Sequence, residues 1–421
     1  MNLRLLLSVL SVTLLPLLAG AQMGQMDLVI RNARVIDVRT GDIRTGQSIW
    51  IKGDTIVAIG RPNSGPRVRA ARTVDAGGGY VIPGLWDMHV HFGGGAALIA
   101  ENRNLLPLYT AHGIVAVRDA AGDLSESVLA WRDSIARGLL DGPTIFTSGP
   151  KLEGVNSVWP GDIEVDTRAG VDSALDRLQA MRVDFVKLTD NTLKPELFRY
   201  ALGELRKRGL KSSAHIPQAV LVREAIAAGL GSIEHLSYAI RAGTEVAGQP
   251  PVADVIAAFD SSLAMAAYRL MAERGTASPQ AIARRHAIYE FSSTKLHMLQ
   301  AAGITILAGT DAGFLNSFVY PGIGLHDELQ LMVKAGLTPL QALQAATING
   351  ARFLEREARH GVVEVGHAAD LVILVANPLA DITATRKIRS VILRGRHHGR
   401  SELDALLRAV AKRADDIGGT I

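Results

Sequence analysis

His89 and His91 are separated by one residue and follow an apolar run, Val81-Ile82-Pro83-Gly84-Leu85-Trp86, that reads as a β-strand. Alternation along a strand puts both imidazoles on one face, where they can share a metal ion. Three further donors lie at the ends of other short apolar runs: His215, His235 in Ser232-Ile233-Glu234-His235, and Asp311 in Ala308-Gly309-Thr310-Asp311. Any one of them also reads as a buried polar residue satisfied by its neighbours. Four imidazoles and a carboxylate brought by independent segments are hard to explain as packing. Lys187, in Asp184-Phe185-Val186-Lys187-Leu188, is the sixth candidate. As an ammonium among imidazoles it would be desolvated and would repel a cation. Either the amine loses its proton and captures carbon dioxide, giving an anionic carbamate that can bridge two metals, or it stays charged and pairs with Asp190. Spacing does not choose between them. The chain has no cysteine, which excludes a thiolate nucleophile and a cysteine zinc site.

Such donors converge only if a fold brings separate strand ends together. Short β-branched runs alternate with longer helical patterns, the sign of βα units around a parallel sheet. Strands are expected near Val81–Trp86, Ile114–Arg118, Thr144–Thr147, Phe185–Leu188, Lys211–Ala214, Ser232–Glu234 and Ile304–Ala308, and amphipathic helices over Asp172–Met181 and Ala219–Ala228. Thr338-Pro339 reads as the N-cap and first residue of another helix. A closed (β/α)₈ barrel needs eight strands, and the missing one should fall between Leu236 and Gly303. In a barrel of this kind, residues at the C-terminal ends of the strands meet at the face where active sites form. The loop from Ser148 to Ile163 would wall that face.

The two ends of the chain have a different texture. Leu28-Val29-Ile30, Arg34-Val35-Ile36, Ser48-Ile49-Trp50-Ile51 and Ile56-Val57-Ala58-Ile59 are strands separated by turn residues, and Leu371-Val372-Ile373-Leu374 and Ser390-Val391-Ile392-Leu393 repeat the pattern. They are expected to pair into one composite β-sandwich, residues 22–82 with 362–400, around a barrel of residues 83–361 and followed by a C-terminal helix or tail, 401–421. Residues 1–21 carry Arg4, an apolar run from Leu5 to Leu18 and then Ala19-Gly20-Ala21, the form of a secretory signal peptide cleaved after Ala21. This implies a periplasmic or secreted protein with no membrane attachment after cleavage. The net charge of +4 is dispersed, and the basic runs are short and lack interleaved aromatic residues, which argues against a nucleic-acid partner. The partner expected is a small-molecule substrate, and a homo-oligomer is left open.

The ordered set resembles the amidohydrolase superfamily, and within it the imidazolonepropionase-like and Xaa-Pro dipeptidase-like branch. The motifs are Pro83-Gly84-Leu85-Trp86-Asp87-Met88-His89-Val90-His91, Val117-Arg118-Asp119, Val186-Lys187-Leu188, Ile233-Glu234-His235, Gly309-Thr310-Asp311-Ala312-Gly313, and the closing Ala346-Thr347-Ile348-Asn349-Gly350-Ala351 with Ala369-Asp370-Leu371-Val372. The resemblance covers nearly everything after residue 21. It implies a first divalent metal held by His89, His91 and Asp311, a second held by His215 and His235, and N6-carboxylated Lys187 between them. Zinc is the metal implied, with manganese and cobalt not excluded. The ions would activate water and polarise the scissile carbonyl, with Asp311 taking the proton and returning it to the leaving amine. Tyr238 resembles a substrate contact, though a core or rim tyrosine fits its position as well. Arg118 reads either as a substrate-carboxylate anchor or as the partner of Asp119 or Asp123. His112, His286, His297 and His326 lie in helical patterns and read as structural or surface residues. The chain departs from the pattern over Arg241–Ala287.

The leading expectation is an exported binuclear amidohydrolase cutting a dipeptide or an N-acyl amino acid. One alternative is a mononuclear cyclic-amide hydrolase or deaminase, which has no need of Lys187. The other is a non-catalytic exported binding protein on a retained barrel, which would ordinarily have lost ligands.

Overall fold

The computed structural model of the chain describes residues 25–66, 69–239, 279–313 and 319–418. Its first five strands are β1 (Met26–Ile36), β2 (Ile43–Lys52), β3 (Thr55–Gly60), β4 (Ala70–Asp75) and β5 (Tyr80–Pro83). Their alternating apolar residues, such as Leu28, Ile30, Val35, Ile49 and Ile51, are buried and their polar neighbours face out. β1 pairs antiparallel with β2 and parallel with β4 and β5.

Only Gly84 separates β5 from β6 (Leu85–His91), the strand that carries the first two histidines. A side chain there would meet Val115 at 2.3 Å, so this tight passage into the barrel needs glycine. There follow β7 (Ile114–Asp119), β8 (Thr144–Thr147), β9 (Leu152–Gly154), β10 (Ile163–Val165), β11 (Val186–Leu188), β12 (Ser212–Ala214), β13 (Ser232–Ile233) and β14 (Ala312–Gly313). One sheet runs β14-β6-β7-β8 and another β10-β9-β11-β12-β13, all pairs parallel. The Asp184 N–H donates to the Thr147 carbonyl at 2.9 Å and bridges the two. Leaving aside β9 and β10, the strands follow chain order and the last returns beside the first, as in a (β/α)₈ barrel. β6 and β7 are buried almost throughout, as strands covered on both faces must be, which is why they read as apolar runs.

Helices intervene between the strands. The helix Pro195–Lys207 buries Leu197, Phe198, Ala201, Leu202 and Leu205, a stripe at three- and four-residue spacing, against the second sheet. The helix Arg168–Ala180 is capped by Thr167, and Pro339–Ala345 by a reciprocal pair between Thr338 and Gln341. The stretch expected as the last strand, Ile304–Ala308, forms no regular ladder. It meets β6 through single bonds, Met88 N–H to the Ala308 carbonyl at 2.8 Å and Asp311 N–H to the His89 carbonyl at 2.8 Å, and the ladder proper begins only at Ala312. The expected seventh strand, between Leu236 and Gly303, falls largely on residues 240–278, outside the described residues, and the segment expected to be a signal peptide, residues 1–21, lies outside them too.

The chain closes with β15 (Leu371–Leu374), β16 (Ile388–Leu393) and β17 (Arg396–Gly399). β15 pairs antiparallel with β5, Leu371 opposite Pro83 and Leu374 opposite Tyr80. The terminal strands thereby form one eight-stranded sheet, β17-β16-β15-β5-β1-β2-β3 with β4 on β1, over a common core that includes Ile30, Ile49, Val81, Leu371, Ile373 and Ile392. The helix Arg400–Gly418 runs back over the barrel, with Leu403 buried and Arg413 bonded to Asn104 at 2.8 Å. Among the described residues no helix is long and apolar enough to cross a membrane.

Candidate metal centre

Five of the six predicted donors lie in hydrogen-bond or van der Waals range of another. His89 and His91 stand on one face of β6 with their Nε2 atoms 3.1 Å apart. Each has its Nδ1 committed elsewhere: His89 to the Glu234 carboxylate at 2.6 Å, His91 to the Ala121 carbonyl at 2.5 Å. A neutral imidazole carrying its proton on Nδ1 presents a lone pair at Nε2. The two lone pairs thus face one another, and the Asp311 Oδ1 stands 3.0 Å from the His91 Nε2 and 3.4 Å from that of His89. Donor atoms of His89, His91 and Asp311 all lie within 4.8 Å of one another.

His215 and His235 repeat the arrangement, Nε2 to Nε2 at 3.1 Å, and the His235 ring lies 5.0 Å from both His89 and His215. The backbone is strained where it delivers these groups. His235 and Asp311 have φ of +60° and +57°, and Ala121, which holds His91, has +82°. Residues with side chains seldom adopt the left-handed region, and such strain persists where the surroundings over-determine it. Here it has a geometric use. Regular alternation would send Glu234 and His235 to opposite sides of the strand, yet both reach the neighbourhood of His89.

Lys187 is fully buried on β11, and its Nζ has no hydrogen-bond partner among the described residues. Burial pushes its amine down to about 8, against the pull of Glu234. Burial likewise holds the His89 imidazole down to about 3, so it stays neutral despite the adjoining Glu234. Enclosure opposes ionisation of Asp311, but the His91 contact and the neighbouring His89 and His235 hold its carboxyl far below the usual range. This donor set fits a divalent cation. Facing lone pairs and a carboxylate repel one another, and positive charge among them removes the conflict. A proton on the His89 Nε2 would satisfy its contact only against the burial that keeps this imidazole neutral.

Several functional contacts were not legible in the sequence. Arg118 pairs with neither Asp119 nor Asp123: its guanidinium donates to Glu234 at 2.6 Å and its Nε–H to the Met88 carbonyl at 2.5 Å. Asp119 instead accepts from Thr147 at 2.7 Å, and Asp123 from the Gly94 N–H at 2.8 Å. Tyr238 donates to Asp190 at 2.8 Å, and its ring stacks on His215 at 5.3 Å. Asp190 also lies 3.6 Å from the His215 Nδ1. His326 bonds Thr385 and the His112 carbonyl, both at 3.0 Å, a structural role, while the side chain of His286 lies outside the described residues.

The glycine of Gly309-Thr310-Asp311 has a steric reason. A Cβ at Gly309 would meet the His89 Cβ at 2.7 Å and its backbone nitrogen at 3.0 Å. Gly309→Ala is expected to cost about 1–3 kcal/mol of stability and to weaken metal retention, because the clash is relieved by moving a ligand strand. Paired melting curves and metal analysis of the purified variant check this. A Gly309→Ala protein with unchanged melting and metal content would show that the strands part freely here.

The amidohydrolase family model matches residues 80–397. The ochratoxinase of Aspergillus niger is 26% identical over 369 residues, covering 74% of this chain and 73% of that one. An imidazolonepropionase of Anaeromyxobacter sp. is 28% identical over 403 residues, covering 82% and 89%. Among solved structures, a Xaa-Pro dipeptidase with bound methionine in its active site superposes with a TM-score of 0.70 at 20% identity, covering 88% of this chain and 99% of that one.

Proposed function

Because the chain belongs to the amidohydrolase family and is a hydrolase of carbon–nitrogen bonds, we propose that it cleaves the amide of a dipeptide or an N-acyl amino acid using two divalent cations. His89, His91 and Asp311 would hold the first and His215 and His235 the second, with Lys187, carboxylated on its amine, as a further oxygen donor. The observation that carries this reading is the two pairs of facing Nε2 atoms, each pair 3.1 Å apart, together with a buried lysine amine without a hydrogen-bond partner among the described residues. An amine whose pKa is lowered has a larger fraction free to add carbon dioxide, giving a carbamate and a proton. Likeness to a Xaa-Pro dipeptidase and to ochratoxinase supports a substrate of this class.

When bound, divalent cations there supply Lewis acidity, acidifying water and polarising the scissile carbonyl. The protein's own groups do the rest. The Asp311 carboxylate is partly open to solvent, unlike His89, and can accept a proton from water and return it to the departing amine. Neutral His89 keeps its lone pair free near pH 7 because burial opposes its protonation. Tyr238 is assigned to the substrate side of the wall beside His215 and His235. Export through a signal peptide cleaved after Ala21 is part of the reading, and N-terminal sequencing of the mature protein tests it.

Protein purified after growth with zinc is expected to hold two metals per chain by elemental analysis. Chelation should abolish hydrolysis, and zinc, manganese or cobalt should restore it on a panel of Xaa-Pro dipeptides, other dipeptides, N-acyl amino acids, lactones and hydantoins. One metal per chain throughout, with turnover confined to hydantoins or to deamination, would replace this reading with a mononuclear cyclic-amide hydrolase or deaminase.

A further inference from the structure

Glu234 stands inside one of the sequence motifs yet belongs to no expected ligand set. Its surroundings are specific. Oε2 accepts from the His89 Nδ1 and the Arg118 guanidinium, each at 2.6 Å, and Oε1 accepts from Ser213 at 2.5 Å and Ser232 at 2.9 Å. Four donors take up the acceptor capacity of a carboxylate, so nothing remains with which to take a proton from substrate. The donors come from β6, β7, β12 and β13, which makes Glu234 a tie across the barrel directly beneath the histidines. Arg118 is itself fixed, 5.1 Å from the Phe185 ring and 5.2 Å from that of Phe353, with Ser232 at 3.2 Å.

The geometry points to Glu234 as the positioning residue of the metal centre: neutralised by Arg118, its carboxylate keeps the His89 proton on Nδ1 and thereby turns the Nε2 lone pair toward the cation. This rests on the reading that the site holds a divalent ion. Among the two histidines of β6 the arrangement is unequal, since His91 gives its Nδ1 proton to a neutral backbone carbonyl. A carboxylate partner makes an imidazole the stronger base and the better ligand, and loss of such partners commonly lowers metal affinity by about 10–100-fold. The sequence carried the signal only in part: a glutamate before a ligand histidine is visible, but its partners lie 145 and 116 residues away.

Glu234→Gln keeps the volume and removes the charge. Zinc binding, titrated against a chromophoric chelator, is expected to weaken about 10–100-fold in a variant whose circular dichroism matches wild type. Nitrogen-15 histidine spectra of metal-free protein give a second readout that a merely structural role would not move. In wild type the His89 signals, identified by their loss in His89→Asn, should show Nδ1 protonated and Nε2 bare, and in Glu234→Gln a mixture of tautomers. Unchanged zinc affinity in Glu234→Gln, or an Nε2-protonated His89 in wild type, overturns the proposal. If the variant does not fold, the wild-type spectrum alone decides. Wild-type protein that binds no zinc sinks the metal reading and leaves the tautomer measurement to judge Glu234 independently.

Discussion

Asp311→Asn is expected to lower kcat by about 10²–10⁴-fold, the contribution of a positioned general acid–base group, while the protein remains folded. Asparagine has the volume of aspartate and keeps an oxygen that can face the cation, but its amide cannot take a proton. The side chain is 42% exposed, and its carboxylate meets His89 and His91 rather than the core. Its backbone, with φ of +57°, is a conformation asparagine adopts about as readily as aspartate. Fold and strain should therefore survive the change. Steady-state kinetics on whichever substrate the panel identifies, together with metal analysis, separate the outcomes. A fall in kcat with two metals retained assigns the proton transfer to Asp311, and loss of one metal assigns it mainly to ligation. Wild-type turnover would falsify both roles.

The second large effect is expected at Lys187, and it is unusual in having two opposite signs. Lys187→Met should abolish hydrolysis and lower zinc affinity by at least about 100-fold, the upper end of what outer-shell partners contribute, because the carbamate oxygens proposed to hold the cations could no longer form. In the metal-free protein the same change should raise stability. The wild-type amine is fully buried without a hydrogen bond among the described residues, and leaving such a group unsatisfied costs about 1–3 kcal/mol, whereas methionine fills similar volume without that penalty. A residue kept for the fold would behave the other way round. Denaturant unfolding of both proteins after chelation measures the stability change, and zinc titration the loss of affinity. A metal-free Lys187→Met protein less stable than wild type, binding zinc normally, would make Lys187 a structural residue.

Much of this centre was legible because the rules involved are local. A strand has a period of two, so His89-Val90-His91 after an apolar run places two imidazoles on one face whatever the rest of the chain does. Alternation of β-branched and helical patterns gives the (β/α)₈ barrel, and the barrel says that residues at strand ends meet. The similar texture at the two termini led to the expectation that they pair, and the structure joins them in one sheet through β5, whose residues the sequence reading gave mostly to the first barrel strand. Absence of cysteine restricted the donors to imidazole, carboxylate and modified lysine.

What periodicity cannot give is the identity of a partner across the barrel. Arg118 reads from sequence as the neighbour of Asp119, one residue away, but adjacent residues on a strand point to opposite faces, and its partner is Glu234, 116 residues on. Likewise spacing allows Lys187 to pair with Asp190, which the tertiary structure places with Tyr238 and His215. The left-handed turns at Ala121, His235 and Asp311 and the close approach at Gly309 are decided by how eight strands share one interior, which no single segment records. The sequence by itself determined which atoms were available to hold cations and, for His89 and His91, that they share one face of a strand. Only the packed barrel decided which hydrogen bond fixes each tautomer and which buried charge neutralises which, because those energies depend on distance and dielectric between groups far apart along the chain.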